Sequence, residues 1–74
     1  MPDTLRAEAS SNLATALVML GRSDEAVVAF RAALAGRDSG LTRYNLAIVL
    51  AERGAVREAE VQYRAAVRLD ASLE

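Results

Sequence analysis

The chain has 74 residues, a mass of 7.9 kDa and nine Arg against ten Asp plus Glu, and a net charge of −1 gives it no electrostatic reach toward nucleic acid. It holds no Cys, His or Lys, which removes disulfides, thiolate and imidazole metal ligands, Schiff-base chemistry and the usual proton shuttle near neutral pH; no catalysis, metal or cofactor is expected. Of the apolar residues 16 are Ala, leaving 10 Leu, 7 Val, one Ile, two Met and three aromatics for a core, so closely packed helices are expected, with help from a neighbour.

The first six residues, Met-Pro-Asp-Thr-Leu-Arg, lack a basic start and an uninterrupted apolar stretch, and no apolar run approaches the roughly 20 residues of a membrane span. A cytoplasmic protein with no membrane partner is expected, and basic residues that are all Arg beside so much Ala suggest a GC-rich bacterial genome. Helix one is predicted from Thr4 to Leu20, started by Pro2-Asp3 and ended by Gly21, with Leu5, Ala9, Leu13, Ala16, Leu17 and Leu20 at helical spacing as its core face. Ser23 is the predicted N-cap of helix two, which carries Asp24 and Glu25 in its first turn and ends near Gly36. After the loop Arg37-Asp38-Ser39-Gly40, helix three is predicted from about Leu41 to Arg53, stopped by Gly54. Helix four follows from about Val56 to Leu69, with Glu60 and Arg64 spaced to pair along it. Short connections make successive helices antiparallel, and no strand pattern competes.

Sliding the chain against itself by 33 residues aligns Asn12-Leu13-Ala14 with Asn45-Leu46-Ala47, Leu17 with Leu50 and Gly21 with Gly54. The same offset puts Glu25-Ala26 on Glu58-Ala59, Val28 on Val61, Phe30 on Tyr63, and Arg31-Ala32-Ala33 on Arg64-Ala65-Ala66. An ungapped match over both halves makes the chain two copies of one unit. In each unit the alanines 14 and 26, or 47 and 59, are where helices approach closely. Phe30 and Tyr63 are expected to fill the remaining wedge, backed by Leu13, Leu17, Leu46 and Leu50.

These residues resemble the tetratricopeptide repeat, whose pattern runs W-x2-L-G-x2-Y, then A-x3-F, then P. Leu13 and Leu46 match its leucine, Ala14 and Ala47 its glycine, Leu17 and Leu50 its tyrosine, and Ala26-x3-Phe30 and Ala59-x3-Tyr63 its later pair. Ser10 and Arg43 stand at the tryptophan, Asp38 and Ala71 at the proline, and the period of 33 is short of the family's usual value of about 34. The resemblance covers about Ala7 to Leu69. It implies an all-α fold in which two antiparallel helical hairpins, about residues 7–39 and 40–72 of one domain 1–74, stack as a fragment of a right-handed superhelical αα solenoid.

It further implies a module that binds a protein or peptide partner. The face of helix one opposite Leu13, comprising Glu8, Ser11, Thr15, Val18 and Met19, and its counterpart Leu41, Tyr44, Ile48, Ala51 and Glu52 on helix three, correspond to the concave groove of such stacks. Asn12 and Asn45, one per repeat, sit at the edge of that arc, where an amide donates to and accepts from a peptide backbone. Between Tyr44 and Ala51 only Asn45 is polar, which favours an amphipathic helix or a peptide with aliphatic anchors. Relatives that grip a C-terminal carboxylate do so with Lys, Arg and Asn; here Glu8, Ser11, Thr15, Leu41 and Ile48 occupy those places, so that reading is set aside. Two repeats are fewer than the three or so that stacks need. Val56, Val61, Val67 and Leu69 are therefore expected to stand partly open, and self-assembly into a homo-oligomer is the rival reading.

Overall fold

A helix commonly stops where a residue adopts the left-handed conformation, and Gly21 (φ 76°) and Gly54 (φ 84°) do this at equivalent places in the two repeats. The turns share their hydrogen bonds. The Arg22 and Ala55 N–H groups donate to the Leu17 and Leu50 carbonyls at 2.8 and 2.9 Å, and the Gly21 and Gly54 N–H groups donate to Val18 and Ala51 at 2.9 and 3.0 Å. That is the Schellman arrangement, and it satisfies carbonyls that the helix end would otherwise orphan.

The computed structural model describes residues 3–74. Four helices follow one another, α1 (Asp3–Met19), α2 (Ser23–Gly36), α3 (Gly40–Glu52) and α4 (Val56–Leu69), then a 3₁₀ turn at Ala71–Leu73; the described residues contain no strand. The fold is all-α, as the periodicity implies. It divides into two compact units, 1–38 and 39–74, and each is a helical hairpin, α1 against α2 and α3 against α4. Pro2, expected at the start of helix one, lies outside the described residues.

Alanines form the seam of each hairpin. Ala7, Ala14, Ala26 and Ala33 are buried in the first, and Ala47, Ala59 and Ala66 in the second. Where the first hairpin's helices begin and end together, Gly36 lies so close to α1 that an added Cβ would sit 3.2 Å from the Asp3 carbonyl and 3.4 Å from the Ala7 Cβ. The second hairpin makes this approach with the glycine on the other helix: Gly40, the counterpart of Ala7, would place a Cβ 3.1 Å from both the Ala66 carbonyl and the Asp70 Cβ, while Leu69 stands where Gly36 does.

Three expectations are corrected. Leu5, Ala9, Leu13, Ala16 and Leu20 are exposed, and of the predicted α1 core face only Leu17 is buried. The arc of α1 that meets α2 is the one carrying Ala7, Ala14 and Leu17, because small residues let backbones approach and a leucine stripe does not. Ser23 is not a cap: Arg22 holds the N-cap position with its carbonyl accepting from the Ala26 N–H at 3.0 Å, and no side chain caps the helix. The capping serine is Ser39, whose Oγ accepts from the Thr42 N–H at 3.3 Å and draws Gly40 into α3. Finally, Phe30 is core at 1 % exposure, but Tyr63 is 39 % exposed. Its hydroxyl tolerates water, and its ring makes an edge contact with Tyr44, centroids 6.1 Å apart. The Glu60–Arg64 pair forms at 3.0 Å with both side chains exposed, where it contributes little.

Three outcomes follow from this packing. Phe30→Ala costs about 3–5 kcal/mol of stability by urea or thermal denaturation, enough to unfold a small domain, whereas Tyr63→Ala costs clearly less. Gly40→Ala costs about 1–2 kcal/mol in the same assay, because the Ala66 carbonyl it would press on is fixed within a helix. Asp70 accepts from the Ser72 hydroxyl at 2.6 Å and the Ser72 N–H at 3.0 Å, and these bonds, the hydroxyl first, lower its pKa. This bond network is therefore intact near neutral pH and is lost only as pH falls through the lowered value. An NMR titration places the Asp70 midpoint below the ordinary 3.8, and Ser72→Ala moves it part of the way back, because residue 72 still donates its N–H.

Candidate functional site

With about 100° of turn per residue, α1 presents three arcs. The alanine arc is the seam. A second, of Leu5, Leu13 and Leu20 with Ala9 and Ala16, is exposed. The third carries the residues expected in a groove: Glu8, Asn12, Thr15 and Met19 are exposed, Met19 at 82 %, while Ser11 and Val18 are half-buried toward the seam. Two polar groups of this arc are engaged locally. The Thr15 Oγ1 donates to the Ser11 carbonyl at 3.1 Å, and Glu8 stands 3.9 Å from Arg37 of the same hairpin.

On α3 the corresponding residues are more apolar and partly converge. Leu41, Ile48, Ala51 and Glu52 are exposed, and Tyr44 and Asn45 half-buried. Tyr44, Ile48 and Ala51 line a depression of about 340 Å³ within the second hairpin, together with Ala47 and the α4 residues Val56, Ala59, Glu60 and Tyr63. Leu41, Asn45 and Glu52 are not part of its lining. The floor is alanine, the walls are the two tyrosines, Ile48 and Val56, and the charged member is Glu60, engaged with Arg64. A concavity of this kind takes up an aliphatic or aromatic side chain and has little with which to attack one.

The α4 wall escaped the sequence reading, although the repeat alignment carries its signal. Glu60 is the counterpart of buried Val27, and Tyr63 of buried Phe30, so at both places the second repeat replaces an apolar core residue with one that tolerates water. A second depression, of about 530 Å³, lies on the first hairpin and is lined by Ser10, Leu13, Leu17, Arg22, Glu25, Val28, Ala29 and Ala32. The second hairpin differs at the equivalent places: Leu46 is fully buried while Val61 is exposed, and the Arg43 Nη1 donates to Gln62 Oε1 at 2.8 Å across α3 and α4. Arg43, at the family's tryptophan position, is thus tied into the hairpin.

Among the described residues no group of three or more His, Cys, Asp or Glu is placed to hold a metal ion, and no helix is long and apolar enough to cross a membrane. The sequence model of one family, described as Tetratricopeptide repeat, matches the chain twice, over residues 7–32 and 40–65. The matches share the offset of 33 and together cover more than half of the chain. No curated protein and no solved structure matches it.

Proposed function

Because the chain belongs to the tetratricopeptide repeat family, whose members are generally protein–protein interaction modules, we propose that its second hairpin receives an apolar segment of a partner protein in the depression framed by Tyr44, Ile48, Val56 and Tyr63. The observation that carries this reading is the convergence, in one hairpin, of apolar side chains from two helices on an alanine floor that no described residue covers. Buried aromatic and aliphatic anchors supply most of the free energy of such contacts, and a depression of this size accepts one or two of them. The occupant that fits is an amphipathic helix or a short peptide presenting Leu, Ile or Phe at helical spacing. Asn45, half-buried and outside the lining, contributes a backbone contact only to a partner that extends beyond the depression. On the first hairpin, the equivalent arc exposes Asn12, Thr15 and Met19, with Val18 half-buried beside them. The role is that of a non-catalytic binding module in which the two repeats act as one domain.

The protein carries its own reporter: both of its tyrosines line the depression and it has no tryptophan. Synthetic amphipathic helices with aliphatic anchors four and seven residues apart, and scrambled controls of the same composition, are titrated while tyrosine emission is followed. The anchored helices change the emission saturably and the scrambled ones do not. Ile48→Ala weakens binding about tenfold while helicity by circular dichroism is retained. Equal responses to anchored and scrambled helices, or binding indifferent to Ile48→Ala, would remove the proposal.

A further inference from the structure

The first hairpin's depression lies on a different arc of α1 from the patch just described, since Leu13 is about 160° around the helix from Thr15. Its apolar lining, Leu13, Leu17, Val28, Ala29 and Ala32, is open at two large side chains: Leu13 is 55 % exposed, and Val28 is exposed as well. The same leucine of the repeat, Leu46, is fully buried in the second copy. A leucine at this place is therefore a packing residue, and in the first hairpin it lacks a cover.

The rim says what the cover is. Arg22 and Glu25 stand side by side at one edge, Nη2 to Oε2 at 2.6 Å, and both remain more than half exposed. A rim with one charge of each sign is its own complement. A copy turned by a half-rotation brings its Glu25 to Arg22 and its Arg22 to Glu25, while Leu13 and Val28 of the two floors meet. A partner with a rim of one sign is attracted by one member of the pair and repelled by the other, and so gains nothing from it.

We propose that this α1–α2 face is the interface of a homodimer with twofold symmetry, in which a second copy of the chain covers Leu13 and Val28 with its own Leu13 and Val28. Twofold, isologous contacts are the commonest way that soluble proteins self-associate. The apolar floor supplies the affinity, and the exposed charges, individually weak, set the register. This association is independent of the depression on the second hairpin.

Sedimentation equilibrium from low to high micromolar concentration tests it. The native chain shows a reversible monomer–dimer equilibrium, and Leu13→Arg is monomeric throughout with unchanged helicity. Arg22→Glu weakens the dimer about tenfold, and Arg22→Glu combined with Glu25→Arg restores it, because the rim is again self-complementary. Ile48→Ala leaves the equilibrium unchanged. A native chain that stays monomeric overturns the proposal and leaves the face to a partner helix. A dimer indifferent to Leu13→Arg, or not rescued by the double reversal, overturns the interface or its symmetry.

Discussion

Both hairpins rest on the close approach of two helices that buried alanines and a glycine permit. Ala14, Ala26 and Ala66 have no exposed surface, and Ala33 almost none. At such a seam two backbones approach more closely than leucine or valine would allow, and the two hairpins reach this approach by different routes. In the first, Gly36 on α2 meets Ala7 on α1; in the second, the glycine moves to α3 as Gly40 and Leu69 takes the α4 position. What the repeat keeps is the closeness, and the residue that yields to it is free to change sides.

A seam of methyl groups is thin in energy. Each buried methyl contributes roughly 0.8 kcal/mol, against about 1.5–3 kcal/mol for a leucine or phenylalanine side chain. Leu17, Val27, Phe30, Leu46, Val49 and Leu50 therefore carry much of the hydrophobic stabilisation, and most of the remaining large apolar residues are not fully buried. They go to the outer arcs, and so Leu13, Met19, Leu41, Ile48, Val56 and Val61 are exposed in a chain with few large side chains to spare. One constraint thus produces both the thin core and the apolar surface.

The helix ends were legible because they depend on single residues with one physical role: Gly21 and Gly54 predict the turns, and α4 begins and ends where the pattern places it. The packing face of α1 was not, because periodicity reports that an apolar stripe exists and does not say which stripe meets the next helix. Leu5, Leu13 and Leu20 make the stronger stripe, yet Ala7 and Ala14 make the contact. Ser23 misled for a related reason. It has the right chemistry for a cap, but the glycine turn already fixes where α2 begins, one residue earlier, and the same holds at Ala55 in the second hairpin. Of the candidate site, Tyr44, Ile48 and Ala51 were visible as one face of α3, while Val56, Ala59, Glu60 and Tyr63 belong to a helix whose opposing face only the packing reveals.

Two copies of one unit also act as controls for each other. Leu13 and Leu46 hold the same place in the repeat, yet one is 55 % exposed and the other fully buried, while the residues around them differ, Ser10 and Ala29 in the first copy against Arg43 and Gln62 in the second. The two copies differ in how polar their open faces are. The second hairpin has Glu60 where the first has Val27 and Tyr63 where it has Phe30, which gives its depression a charged edge and a hydroxyl beside that of Tyr44. The first has Leu13 and Val28 on an open face, with Ser10, Arg22 and Glu25 as its polar lining. A surface softened by polar groups tolerates long periods without a partner. A face of bare leucine and valine gains more from being covered than one edged by polar groups, and in this the two depressions differ.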